Sequence, residues 1–158
     1  MHDPRLQALL DARRFDELLR IVSLAEVARA WIDYQHDHAG SARSRAPETD
    51  ANWWAVEAWM DHEWWSDEAR VRAGVLELVV AAETDLDFGT IGAGVMEMFI
   101  TEDLDRLAWL EQHASLSGRF RRAFANVYVW GELPDEIAAR VEGAAGMRLP
   151  RPRNWSGP

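Results

Sequence analysis

Cysteine is absent from the 158 residues, and lysine is absent too, so that all 17 basic residues are arginine. Without cysteine there are no disulfides and no thiolate metal sites, and nothing points to an oxidising compartment. No apolar run approaches the roughly 20 residues that span a bilayer. The opening Met1-His2-Asp3-Pro4-Arg5 lacks the basic and then apolar pattern of a secretory signal. A soluble cytoplasmic protein with no membrane partner is expected. The missing lysine points to a GC-rich bacterial genome and says nothing of function. No serine sits in a Gly-Xaa-Ser-Xaa-Gly elbow, which removes the usual support for a serine nucleophile. No stretch alternates as a strand. Gly89, Gly92 and Gly94 follow no strand and run in the reverse order of the dinucleotide fingerprint, so no nucleotide or other cofactor is expected.

Acids are plentiful, at 27, giving a net charge of -10. That sign disfavours nucleic acid and anionic membrane and suits a basic protein partner. Hydrophobic residues make up 48% of the chain, enough for a sizeable core. Nine tryptophans are many for this length and serve cores and interfaces alike.

Helical periodicity runs through the chain and predicts an all-α fold of about 7 to 8 helices, either an antiparallel bundle or a short stack of helix pairs. Ser23 and Glu26 form a capping box before a helix carrying Leu24, Val27, Ala28 and Trp31. Residues 1–40 read as an amino-terminal hairpin, 41–50 as a linker, 51–146 as a helical core, and 147–158 as a Pro/Arg-rich extended tail that either lies over the acidic body or hangs free. Within the core, Asp50 can cap a helix reaching Trp65, and Ser66 opens another with Val71, Val75, Leu78, Val79 and Ala82 on one stripe. Thr101 and Ser117 can cap two more, the first with Leu104, Leu107 and Ala114 along a side. Pro134 suits the first turn of the last helix, which ends near Gly143 or Gly146.

The centre of the sequence is a helix from about Leu86 to Ile100, with Phe88, Ile91, Val95 and Phe99 on one stripe and Thr90, Ala93, Gly94 and Glu97 on a small-residue back where another backbone can approach. Glu97 is either the exposed edge of an amphipathic helix or a buried acid in need of a partner, for which Arg70, Arg121 and Arg122 are candidates. Asp33, His36, His38, Asp61 and His62 offer carboxylates and imidazoles suited to zinc or manganese across a hairpin, although neither segment has the spacing of a known helical metal motif. In Trp53-Trp54 and Trp64-Trp65 one member of each pair must point away from the local core, since neighbours on a helix differ by about 100°. The outward ring packs under the amino-terminal hairpin or serves a partner.

Trp53-Trp54-Ala55, then Gly92-Ala93-Gly94-Val95-Met96-Glu97, then Phe120-Arg121-Arg122-Ala123-Phe124 with Val127 resemble, in that order, an uncharacterised bacterial all-helical domain family. Its members carry a Trp-Ala start, a central Gly-Pro-Leu-Glu-like helix and a Phe-Arg-Xaa-Ala-Leu helix ending near Val-Trp. The resemblance covers about Trp53 to Val141. It departs at Val95, where the family tends to proline, and at Tyr128, where tryptophan would follow Val127, with Trp130 nearby. It implies a helical body, marks Glu97, Arg121 and Trp130 as shared positions, and implies no reaction. The resulting expectation is a non-catalytic interaction module, immunity- or antitoxin-like, in which Glu97, Gly94, Arg121, Arg122, Trp54 and Trp130 are the residues of interest. The alternative is a metal-dependent hydrolase built on the His/Asp set. A third expectation is purely structural, a buried pair of Glu97 with Arg121 or Arg122 that fixes helix register.

Overall fold

The computed structural model describes residues 4–39, 50–100, 103–127 and 134–148. Among these residues the regular structure is entirely helical, with no strand, as the periodicity predicts. No helix among them is long and apolar enough to cross a membrane. The chain forms two compact units, Met1–Ala82 and Glu83–Pro158. The division therefore falls inside the stretch expected to be one core, and the expected hairpin shares a unit with the helices that follow it. The expected tail beyond Arg148 and the linker before Asp50 lie outside the described residues.

The first unit holds α1 (Pro4–Asp11), α2 (Phe15–Leu18), α3 (Leu24–His38), α4 (Trp53–Met60), α5 (His62–Ser66) and α6 (Glu68–Ala81). The α3 start is the predicted capping box: Ser23 Oγ accepts the Glu26 N–H at 3.2 Å, while the Glu26 carboxylate accepts the Ser23 N–H at 2.7 Å. Its principal packing is along α6. The helix expected from Asp50 to Trp65 is broken at Asp61, whose backbone is extended and whose carboxylate accepts the Glu63 N–H at 2.7 Å, ending α4 and starting α5. A short acid that bonds the backbone locally competes with helix continuation, which is the reason for the break. For the same reason Asp67, and not Ser66, caps α6 by accepting the Arg70 N–H at 3.1 Å. Beyond that cap the expected stripe of Val71, Val75, Leu78, Val79 and Ala82 is buried throughout.

Trp59 and Trp64 fill this core, 2% and 0% exposed, with ring centroids 5.5 Å apart. The Trp59 indole lies directly on α6 because position 74 is glycine: a Cβ there would stand 2.9 Å from Trp59 Cζ2.

The second unit contains α7 (Asp85–Ile91), a π turn (Gly92–Met96), α8 (Glu97–Phe99), α9 (Leu104–Leu116), α10 (Gly118–Phe124) and α11 (Asp135–Ala145). Thr84 and Asp87 form a second capping box, in which the Asp87 carboxylate also accepts the Glu83 N–H at 2.6 Å. The predicted central helix is thus present but not uniform. Through its middle the Glu97 N–H reaches the Gly92 carbonyl five residues back, the mark of a π turn. The stripe of Phe88, Ile91, Val95 and Phe99 is buried as expected. A close backbone approach occurs beside the stripe. Gly92, next to the stripe, meets α10, whereas Ala93 is exposed and Gly94 is half-exposed.

Asp103 caps α9 and Ser117 caps α10 through side-chain oxygens, while the expected Thr101 cap lies outside the described residues. Leu104, expected on the apolar side of α9, is exposed because it occupies the first helical position, ahead of the turn where Leu107 enters the core. Pro134 stands just before α11, and Gly146 ends that helix in the left-handed region at φ 72, its N–H bonding the Glu142 carbonyl at 3.0 Å.

Candidate functional site

Glu97 stands where the π turn passes into α8 and is half-buried. The three arginines expected as its partners are engaged elsewhere. Arg70 belongs to the first unit, held by Asp16 and Asp67. Arg121 donates from Nε to the Ala114 carbonyl at 3.1 Å, and Arg122 pairs with Asp85 while lying 4.5 Å over the Phe88 ring. The expected Glu97 ion pair with Arg121 or Arg122 is corrected accordingly. The physical reason is the register of α10: Ala123 and Asn126 face the π turn at Gly92, so the two preceding arginines are turned toward the end of α9 and the start of α7.

The tryptophan pairs divide as helical geometry requires. Trp54 and Trp64 are buried, and Trp53 and Trp65 are half-buried. The outward Trp53 packs on Tyr34 of α3, centroids 5.5 Å apart, which is the docking onto the amino-terminal segment that the sequence offers. Trp65 donates from Nε1 to the Trp59 carbonyl at 2.7 Å. Trp130 lies outside the described residues.

The His/Asp set is not assembled. Among the described residues no group of three or more His, Asp or Glu side chains is placed to hold a metal. Asp33, His36 and His62 are exposed, and Asp61 is used to cap α5 and to pair with Arg13 at 3.3 Å. His38 instead meets Asp50, Nε2 to Oδ2 at 3.8 Å, while its Nδ1 lies 2.8 Å from the Tyr34 carbonyl and its ring stacks on Tyr34 at 4.0 Å. A carbonyl only accepts, so Nδ1 carries the proton in that contact. Asp50 is buried and accepts the Asn52 N–H at 2.7 Å. Burial, and then the Asp50 charge, push the Tyr34 hydroxyl above its ordinary range.

Sequence reasoning named Arg70 only as a candidate partner of Glu97 and missed the setting that encloses it. The Arg70 side chain is 10% exposed, its guanidinium 5.4 Å from the Phe15 ring centroid and 5.5 Å from that of Trp64. Those two rings meet edge to face at 5.4 Å. Nη2 is shared between Asp67 at 3.1 Å and Asp16 at 3.3 Å, and Nη1 is buried with no hydrogen-bond partner. The Arg70 backbone N–H, helped by the guanidinium, holds the Asp67 carboxyl below its usual range. Arg70 lines a cleft of about 270 Å³ together with Arg13, Arg14, Asp16, Glu17 and Glu63. The signal in the sequence was the flanking of an arginine by acids on α2 and α6, but Asp16 lies 54 residues away and nothing local ties it to Arg70.

A second groove, of about 480 Å³, lies between α9 and α11, floored by Gly143 and Ala144 and edged by Arg121 and a two-pronged pair of Arg140 with Glu111 at 2.8 and 2.6 Å. No protein-family model, characterised protein or solved structure matches the chain.

Proposed function

We propose that this chain is a non-catalytic helical interaction module whose acidic surface receives a basic protein, in the manner of an immunity or antitoxin protein. The observation that supports this reading is the placement of charge. Among the described residues only two charged side chains are buried, Asp50 and Asp87, and both bind backbone N–H groups. The other charged side chains among the described residues reach solvent at least in part, and the chain as a whole carries 27 acids against 17 bases, a balance that attracts a cationic partner and repels anionic ones. Met60, Met98 and Met147, exposed by 70%, 52% and 52%, add adaptable apolar contact of the kind used on binding surfaces.

The test is affinity purification of the full chain from its native cell at low and at high salt, with mass spectrometry of what is retained. A single basic protein at stoichiometric amount, lost as salt rises, supports the reading. Recovery without any stoichiometric partner, or with an acidic partner indifferent to salt, overturns it.

A further inference from the structure

Two residues lining the cleft carry opposite charges that the protein leaves unpaired among the described residues, one at a buried atom and one in solvent. Nη1 of Arg70 is a buried donor with no acceptor, a state that leaves the desolvation of the group uncompensated. On the same cleft the Glu63 carboxylate is exposed and, among the described residues, no donor reaches it. The walls are otherwise balanced, with the guanidinium groups of Arg13, Arg14 and Arg70 against the carboxylates of Asp16, Glu17 and Glu63. A simple anion entering meets three carboxylates, and a simple cation meets three guanidinium groups. A dipolar molecule satisfies both walls at once.

We propose that this cleft binds the zwitterionic head of a free amino acid, with its carboxylate on Arg70 and its ammonium on Glu63. The Phe15 and Trp64 rings hold the guanidinium in place, so its fork is preorganised for a two-pronged carboxylate contact. The one protein ligand to be displaced is Asp16, which is 82% exposed and bound at the longer of the two Nη2 distances, 3.3 Å. Asp67 remains on Nη2 and keeps the guanidinium anchored to the start of α6. Access to Nη1 requires movement of side chains lining the cleft, and Arg13 and Arg14, 65% and 55% exposed, are held there only by surface ion pairs to Asp61 and Glu17, which exchange at small cost. Ser66 on the same wall donates its hydroxyl hydrogen to the Glu63 carbonyl at 2.7 Å, leaving its oxygen to accept from the incoming ammonium. The volume, about 270 Å³, suits a single amino acid.

The experiment titrates the full chain with glycine, L-serine, L-glutamate and L-arginine, using acetate and methylammonium as single-charge controls. The readouts are melting temperature and the backbone amide resonances of Ser66 and Arg70. At least one amino acid is expected to raise the melting temperature and shift both resonances, with neither control matching it. Glu63→Gln, at an exposed position, keeps the fold and weakens that amino acid by about tenfold or more, the loss of one charge-assisted hydrogen bond. Arg70→Gln removes binding altogether. The proposal is overturned when no amino acid in the set shifts the Ser66 and Arg70 resonances, when acetate alone reproduces the effect, or when Glu63→Gln binds as tightly as the parent.

Discussion

Gly92 and Ala123 are in backbone contact: a Cβ at position 92 would lie 2.2 Å from the Ala123 carbonyl oxygen and 2.7 Å from the Asn126 Cβ. A carbonyl in a helix cannot swing aside as a side-chain end can. Gly92→Ala is therefore expected to destabilise the second unit by about 3 kcal/mol, as overpacking of a filled contact does. Gly143 in α11 has open space around its missing Cβ, so Gly143→Ala should instead stabilise by about 0.5 to 1 kcal/mol through helix propensity. Urea melts of the two variants check the opposite signs.

A second close fit, Gly74 against the Trp59 indole at 2.9 Å, predicts coupling. Gly74→Ala should cost about 2 kcal/mol in the parent and measurably less in a Trp59→Phe background, where the smaller ring leaves room. A double-mutant cycle gives the difference directly; additive effects would show that the indole yields at no cost.

The Ser23 and Glu26 capping box has both a size and a pH dependence. Ser23→Ala should cost about 1 kcal/mol at neutral pH. The Ser23 backbone N–H, and then its hydroxyl, hold the Glu26 carboxyl below its ordinary value of 4.5. A group lowered on folding stabilises fully above its unfolded value and loses that contribution as pH falls through the folded one. Stability of the parent minus that of Glu26→Gln should thus be constant above about pH 5 and shrink below about pH 4.5. A difference that grew on acidification would contradict the box.

Arg140 and Glu111 join α11 to α9 with two parallel hydrogen bonds, each side chain about a third exposed. At that exposure, Glu111→Gln should cost no more than about 1 kcal/mol in dilute buffer, and the cost should fall in high salt. Arg140→Lys should lose nearly as much, because an ammonium cannot make both contacts. Thermal melts at two ionic strengths separate this from a packing defect, which salt would leave unchanged.

How far the fold was legible depends on the range of the forces involved. The Ser23 box, the Ser117 cap and the buried stripe of Phe88, Ile91, Val95 and Phe99 are set within a few turns of helix, and they are visible in the sequence. The break at Asp61 was also local, since Asp61 stands two residues before the N–H it caps, but an unbroken tryptophan period masked it. The π turn was not legible, because it accompanies the approach of α10 to Gly92, from a part of the chain some thirty positions on. The same holds for the candidate sites. Expecting Arg70, Arg121 and Arg122 around Glu97 required knowing which way α10 faces and which unit owns Arg70, and periodicity supplies neither. The histidines were read as neighbours on a hairpin, whereas Asp61 is already committed to the start of α5.

The wide turn at Gly92–Met96 accommodates one residue more than an ordinary helix would over the same rotation. It therefore works as a store for a spare residue. A chain with one residue deleted from this turn would regain regular winding and present Phe88 and Phe99 to the same core. The centre of the second unit is thus the place where related chains can differ in length by one without changing which side chains they bury.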